Sequence, residues 1–469
     1  MRLPKRAIVR AVAPFTRAEL GDPRRTKRLT QVAERLAREP GKSLPAALGE
    51  DAQLQGAYRL MNNSAVTFDA IMAPQIESTA QRARAMQKVL VLHDTTDCSF
   101  PNLDPAELGY LNTGKAGFRL HLSLAVAGDG SRRPLGVVNA ESLFRAKRSR
   151  AKGKVSGPES AKRKDRESAR WFRGMTASAN ALRATRTLVH IADREGDSYE
   201  LMAGLLDASQ RFIIRVRVDR RGRAATGQEW SKVKKIAAAC DGMLERDVPL
   251  TRRRRKTAPG MNRAHPPRKG RIARLRFAAT RIEIPRPSYL HDPVPETLTL
   301  NLVHVREIEA PEGEPEVEWL LYTTEPIDTP TQVAEVVDNY RCRWLIEEFN
   351  SALKTGCVYE EREFESRHAL LTMLAVSLPI ACEVLWLRSQ ARSLPDAPAS
   401  SVLSALQMKI LRKLGSYRLP ARPSAQEALL AVAAMGGHLK RNGAPGWKVL
   451  QRGMSLLLAY QLGWEAASA

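Results

Sequence analysis

Val89-Leu-Val-Leu-His-Asp94 and Thr187-Leu-Val-His-Ile-Ala-Asp193 are the two stretches on which the fold turns. Each is a short apolar run that stops at an aspartate. Runs of this length, rich in Val, Leu and Ile and closed by a polar residue, are expected to be buried strands. Between them, Arg119-Leu-His-Leu-Ser-Leu-Ala-Val126 alternates with period two. Gly128-Asp-Gly130 then supplies a turn and Leu135-Gly-Val-Val138 returns, which predicts a hairpin. Helical stretches are expected around residues 159–173 and 177–186, before the run that ends at Asp193.

The order strand, strand, strand, helix, strand fits a ribonuclease-H-like α/β core. Residues from about 210 to 325 are again strand-rich, with runs at 212–218, 275–284, 298–305 and 317–322. Among them, residues 252–276 hold eleven Lys and Arg and no acid. A β-rich insertion carrying a basic loop is the simplest account. The first 80 residues and the chain from 331 onward have helical patterning. The expected architecture is therefore a helical N-terminal domain (1–80) and a core (81–375) interrupted by a β-rich insertion at about 210–325. A helical C-terminal domain (376–469) completes it.

Composition narrows the partner. The chain has 469 residues, which suggests about three domains. Its 75 Lys and Arg against 50 Asp and Glu give a net charge of +25, so a polyanion is expected, nucleic acid or an anionic membrane surface. Hydrophobic residues at 43% and charged residues at 27% exclude collagen, low-complexity disorder and a disulfide-stapled miniprotein. Residues 1–15 show no apolar signal-peptide segment. The longest apolar run, 369–382, contains Pro379 and falls short of the roughly 20 residues of a membrane span. It is expected to be a buried core helix, with no membrane partner. The five cysteines have no CxxC spacing, which supports neither a zinc site nor a disulfide framework. A reduced, cytoplasmic protein is expected.

Asp94 and Asp193 close two strands. Residues just past strand ends gather at one edge of an α/β sheet, where sites form. Neighbouring strands would let the two carboxylates share a divalent ion, since Mg²⁺ is held by one or two carboxylates plus phosphates. Either aspartate alone is as readily a turn or cap residue. The stretch 336–355 adds Tyr340, Arg343, Glu347 and Lys354. On a continuous helix, at roughly 100° per residue, these four share an arc of about 60°. Glu348 points about 100° away, which makes Glu347 the candidate third acid. An exposed face with an Arg343–Glu347 ion pair is the plainer alternative. Three carboxylates and two cations on a basic protein suit metal-assisted phosphoryl transfer, with two ions roughly 3.5–4 Å apart.

Tyr340-x2-Arg343-x3-Glu347-x6-Lys354 resembles the Y-R-E-K signature of the insertion-sequence-four group of bacterial DDE transposases. The segment from Leu20-Gly-Asp22 through Gly41-Lys-Ser43, and Gln55-Gly-Ala-Tyr-Arg59, are similar to that group's end-binding domain. Asp94-Thr-Thr96 and Asp193-Arg-Glu195 look like its two aspartate motifs, and Pro445-Gly-Trp447 like its C-terminal dimerisation segment. The resemblance implies a cut-and-paste transposase that binds inverted terminal repeats of double-stranded DNA as a synaptic homodimer. Cleavage through a hairpin intermediate and transfer into target DNA would follow. Asp94, Asp193 and Glu347 would be catalytic and hold two Mg²⁺ ions, with Mn²⁺ as a substitute. Tyr340, Arg343, Lys354, Arg215 and Arg28 would contact DNA, and Trp319 would receive a flipped base. Ser351 stands where a relative has Lys. An end-binding inhibitor and a structure-selective nuclease of the same fold are the alternatives.

Overall fold

The computed structural model describes residues 5–145, 168–225, 227, 229–250, 252–253, 266–291, 293–393, 396–439, 445 and 447–467. A second basic run expected to contact the DNA backbone, Arg145–Lys154, lies outside them beyond Arg145, as do most of the expected helix at 159–173 and 254–265 of the basic loop.

The N-terminal region is helical, as expected: α1 (Lys5–Val12), α2 (Pro23–Arg38), α3 (Leu44–Leu48), α4 (Asp51–Met61) and α5 (Phe68–Arg84). Three of these helices start on side chains that accept a hydrogen bond from a first-turn N–H: Asp22 before α2, Ser43 before α3 and Thr67 before α5. Such caps satisfy amide groups that the helix itself cannot. Helix α2 buries Leu29, Val32, Ala33, Leu36 and Ala37, and its arginines lie on other faces. Arg28 there donates to Gln53 Oε1 at 2.7 Å.

Among the described residues, eleven strands form one mixed sheet. They are β1 (Val89–Ser99), β2 (Gly117–Ala127), β3 (Pro134–Leu143), β4 (Leu188–Ala192), β5 (Arg211–Arg215), β6 (Arg221–Ala224), β7 (Ser231–Lys232), β8 (Gly242–Leu250), β9 (Arg271–Pro285), β10 (Thr297–Ile308) and β11 (Glu318–Thr323). Their order is β3-β2-β1-β4-β5-β11-β10-β9-β6-β7, with β8 also paired to β9. The first three are antiparallel neighbours, whereas β4 and β5 run parallel to β1. Helix α6 (Ala169–Ala181) packs across β2 and β3. This is the α/β arrangement that the order of apolar runs predicts.

Three expectations need correction. Residues 211–215 belong to the core's parallel set, and the strand-rich region that follows continues the same sheet because β11 pairs with β5. Strand β1 does not end at Asp94: Thr95, Thr96, Asp97, Cys98 and Ser99 stay paired to β2, down to Ser99↔Gly117. Only the parallel partner β4 stops, at Ala192. The limits at residues 80 and 375 fall inside helices, the first in α5 and the second in a long helix described below.

The C-terminal third is helical: α7 (Pro330–Arg341), α8 (Trp344–Ser351), α9 (Arg367–Ser393) and α10 (Trp447–Ala467), with shorter helices at Ala405–Leu414 and Ala425–Met435. The continuous helix expected over 336–355 is in fact broken. Amide groups of Cys342, Arg343, Leu345 and Ile346 bond three residues back, which tightens the turn between α7 and α8. Residues Ala352–Gly356 then widen into a π turn. Within α9, Arg367–Leu387 is long and apolar enough to cross a membrane, longer than the sequence run implied, yet it is packed inside the fold. Leu370, Met373, Leu374, Leu378 and Leu385 on it are fully buried.

Candidate active site

Register builds the site. Leu92 pairs with Ile191 across the parallel β1–β4 ladder, so two residues further on Asp94 and Asp193 come side by side. Ala192 pairs with Ile214, which sets Arg215 next in line on β5. Two aspartates and an arginine thus form a row across three adjacent strands, at the edge where β4 and β5 end. Asp193 also acts as a cap, accepting from the Glu195 amide at 2.8 Å. The structural role that any strand-end aspartate can have is therefore present here, together with its place in the row.

Helix α8 packs on β1 and brings the third acid. Leu345, Ile346 and Phe349 are buried and anchor it, which leaves Glu347 partly exposed on the site side. Glu348 is buried, in keeping with the helical angles. Asn350 Nδ2 donates to Asp94 Oδ2 at 2.9 Å, tying helix to strand. Asp94 is half-buried, and its carboxyl is pushed up from 3.8 to about 7 by burial and by the charges of Asp193 and Glu347. Arg343 opposes that rise. The three carboxylates are thus close enough to repel.

Cations and aromatics complete the surround. Arg343 is ion-paired with Glu347. Burial disfavours its charge, but Tyr340, Glu347 and Asp94 outweigh burial and hold its pKa above the ordinary value. Tyr340 is buried, and its ring meets Trp319 edge-on at 5.5 Å. Arg215 lies 5.7 Å over Trp319 and its pKa is lowered, first by burial, then by Arg194 and Arg343, while Tyr340 supports its charge. Lys354, in the π turn, donates to the Asp97 carbonyl and lies 3.5 Å from Glu360. It therefore sits along β1 beyond Asp94, not in line with Tyr340 and Glu347 as a regular helix would place it. Ser351 bonds back to the Glu347 carbonyl at 3.0 Å. Arg28 lies on α2, where it donates to Gln53 of α4.

The donor set suits a divalent ion: adjacent hard oxygen ligands, mutually repelling, with cations behind them. Among the described residues, no group of three His, Cys, Asp or Glu is drawn together tightly enough to enclose an ion. Glu347 is instead engaged by Arg343.

Several participants escaped the sequence. Arg170 and Arg119 reach the site from α6 and β2. Behind the carboxylates, His93 Nε2 lies 2.9 Å from His190 Nδ1, and Ser123 Oγ lies 3.0 Å from His93 Nδ1. Burial lowers His93, His190 and His121, the latter two to about 4 and about 3, so these three are neutral spacers. Their signal was histidine in the middle of apolar strand runs.

Two aspartates on neighbouring strands of the α/β sheet, and a glutamate brought over by α8, thus lie close together at one sheet edge. Residues 11–66 match the family model for a transposase DNA-binding domain, and residues 165–378 match that for a transposase DDE domain. The two matches support a metal-dependent DNA transposase of the DDE type. The first segment contains Arg28. The second spans Asp193, Arg215, Trp319, Tyr340, Arg343, Glu347 and Lys354, while Asp94 lies before it.

Proposed function

We propose that this protein is a cut-and-paste transposase that binds inverted terminal repeats, cleaves them through a hairpin and joins the freed ends to target DNA. Asp94, Asp193 and Glu347 are its catalytic acids and would hold two divalent ions, Mg²⁺ or Mn²⁺. Bound ions would activate an attacking oxygen and stabilise the leaving one. The observation that carries this reading is the Asp94–Asp193 row with Glu347 near enough to raise the Asp94 pKa.

The chain's own residues supply positioning. Arg343, beside Glu347, and Lys354, near Asp97 farther along β1, offer fixed cations for phosphates flanking the scissile bond. Arg215 adds a third. Trp319, with Tyr340 against one edge, offers an aromatic face on which an extruded base stacks, relieving strain at a tight hairpin. Helix α2 and Arg28 grip the terminal repeat. A homodimer would form through the C-terminal helices, where Leu456 and Tyr460 of α10 are exposed.

Purified protein incubated with Mg²⁺ and paired-end DNA should give nicks, hairpins and joined products. Asp193→Asn and Glu347→Gln should each abolish cleavage while leaving end binding measurable. Cutting at the wild-type rate by either variant refutes the triad. Cleavage without joining would instead indicate a nuclease, and binding without cleavage an end-binding inhibitor.

A further inference from the structure

The Asp94 and Asp193 segments are joined by more than their strand ladder. Asp193 Oδ1 accepts from the Glu195 amide at 2.8 Å. Glu195 Oε2 in turn accepts from Arg170 Nη2 at 2.6 Å. Arg170 Nε donates to Thr95 Oγ1 at 2.8 Å, and Thr95 is the residue after Asp94. An unbroken path therefore runs from one candidate ligand to the other through a single guanidinium. Arg119 duplicates it on the outer side, 3.7 Å from Glu195 Oε2 and 3.7 Å from Asp97 Oδ1.

The guanidinium is held from behind. Arg170 is 4% exposed, at the start of α6. Gly174, one turn on, lets that helix approach β2, since a Cβ there would come within 2.7 Å of His121 Nε2. His121 Nδ1 lies 3.0 Å from the same Thr95 hydroxyl. A planar fork whose Nε and Nη2 edge offers two donors suits a bridge between two acceptors better than lysine's single ammonium. Glu195 itself is half-exposed, so its carboxylate gains a defined direction only from its arginine partners.

We propose that Arg170, bridging Thr95 and Glu195, is a positioning residue that fixes the spacing of the Asp94 and Asp193 carboxylates and so sets divalent-ion affinity. Arg119 supports it. The inference rests on the metal-site reading above, in which those aspartates are ligands. Each of the two acidic motifs then has a division of labour: the first acid faces the ion and a later one anchors its own segment. Partners that orient ligands in this way commonly alter metal affinity by 10–100-fold when removed.

The test uses the full chain without DNA, stripped of metal and titrated with Mn²⁺ followed by electron paramagnetic resonance. Glu195→Gln keeps the shape and removes the charge that holds Arg170. Arg170→Met removes the bridge, and Arg170→Lys keeps its charge without the fork. Glu195→Gln and Arg170→Met should each weaken Mn²⁺ binding about tenfold or more. The double variant should be no worse than Glu195→Gln alone, because that change already breaks every path through Glu195. Arg170→Lys should fall between wild type and Arg170→Met. Urea midpoints in EDTA separate a folding defect from a loss of affinity, and the half-exposed Glu195→Gln carries the test by itself. Wild-type Mn²⁺ affinity in Glu195→Gln, alongside loss in Asp193→Asn, overturns the bridge alone. Unchanged binding in Asp193→Asn overturns the metal-site reading and the bridge with it.

Discussion

Replacing Asp94 with asparagine should make the metal-free protein more stable at neutral pH. In the folded chain the Asp94 carboxyl is raised from 3.8 to about 7, because burial and two neighbouring carboxylates oppose its charge. The folded state therefore keeps a proton that the unfolded state has already released. Wild type loses stability as pH climbs from about 4 to about 7, and the whole penalty persists above that. A rise of this size corresponds to about 4 kcal/mol at about 1.36 kcal/mol per pH step. Water reaching the half-buried group reduces this to about 3 kcal/mol. Asparagine keeps the acceptor that Asn350 uses and carries no charge. Urea unfolding in EDTA should show the variant gaining about 2–3 kcal/mol on wild type between pH 5 and pH 8. Saturating Mg²⁺ should then stabilise wild type and leave the variant nearly unmoved. A difference that stays constant across that pH range would refute the claimed crowding of carboxylates.

Trp319→Ala should impair hairpin formation more than the first nick in a time course on end DNA; equal loss at both steps would remove the base-stacking role. Binding to terminal-repeat DNA should weaken steeply with salt, in keeping with a net charge of +25, and a flat response would contradict backbone neutralisation. Arg28→Ala should lower end affinity and reduce the slope of log affinity against log salt by about one, whereas an unchanged slope would place Arg28 off the DNA.

Much of the core was legible because strand patterning is local. Alternation from Arg119 to Val126 and the Gly128–Gly130 turn led to β2 and β3, and the two aspartate-ended runs led to β1 and β4. The end of β1 was misread because Asp94 looks like a stop. Continued pairing of Thr95 and Thr96 with β2 overrides it, and that pairing is a long-range fact. Angles around an ideal helix put Glu347 and Glu348 on different faces, and within this regular stretch one is partly exposed and the other buried. The same arithmetic failed for Lys354, because a tight turn at Cys342-Arg343 and a π turn at Ala352–Gly356 alter the angular step. Arg170 had no local signature: its partners lie 75 and 25 residues away in sequence.

The shared sheet also limits how the molecule can be dissected. Strand β5 has β4 on one side and β11 on the other, although β11 is encoded about a hundred residues later. Deleting the intervening region together with β11 would strip β5 of a partner and leave a row of unpaired amides and carbonyls beside Arg215. Exposed, apolar edges of that kind recruit other chains, and Phe212, Ile213 and Ile214 would be the residues bared. A shortened catalytic fragment should therefore aggregate before it can be assayed, whereas point substitutions in the outer strands keep the edge covered.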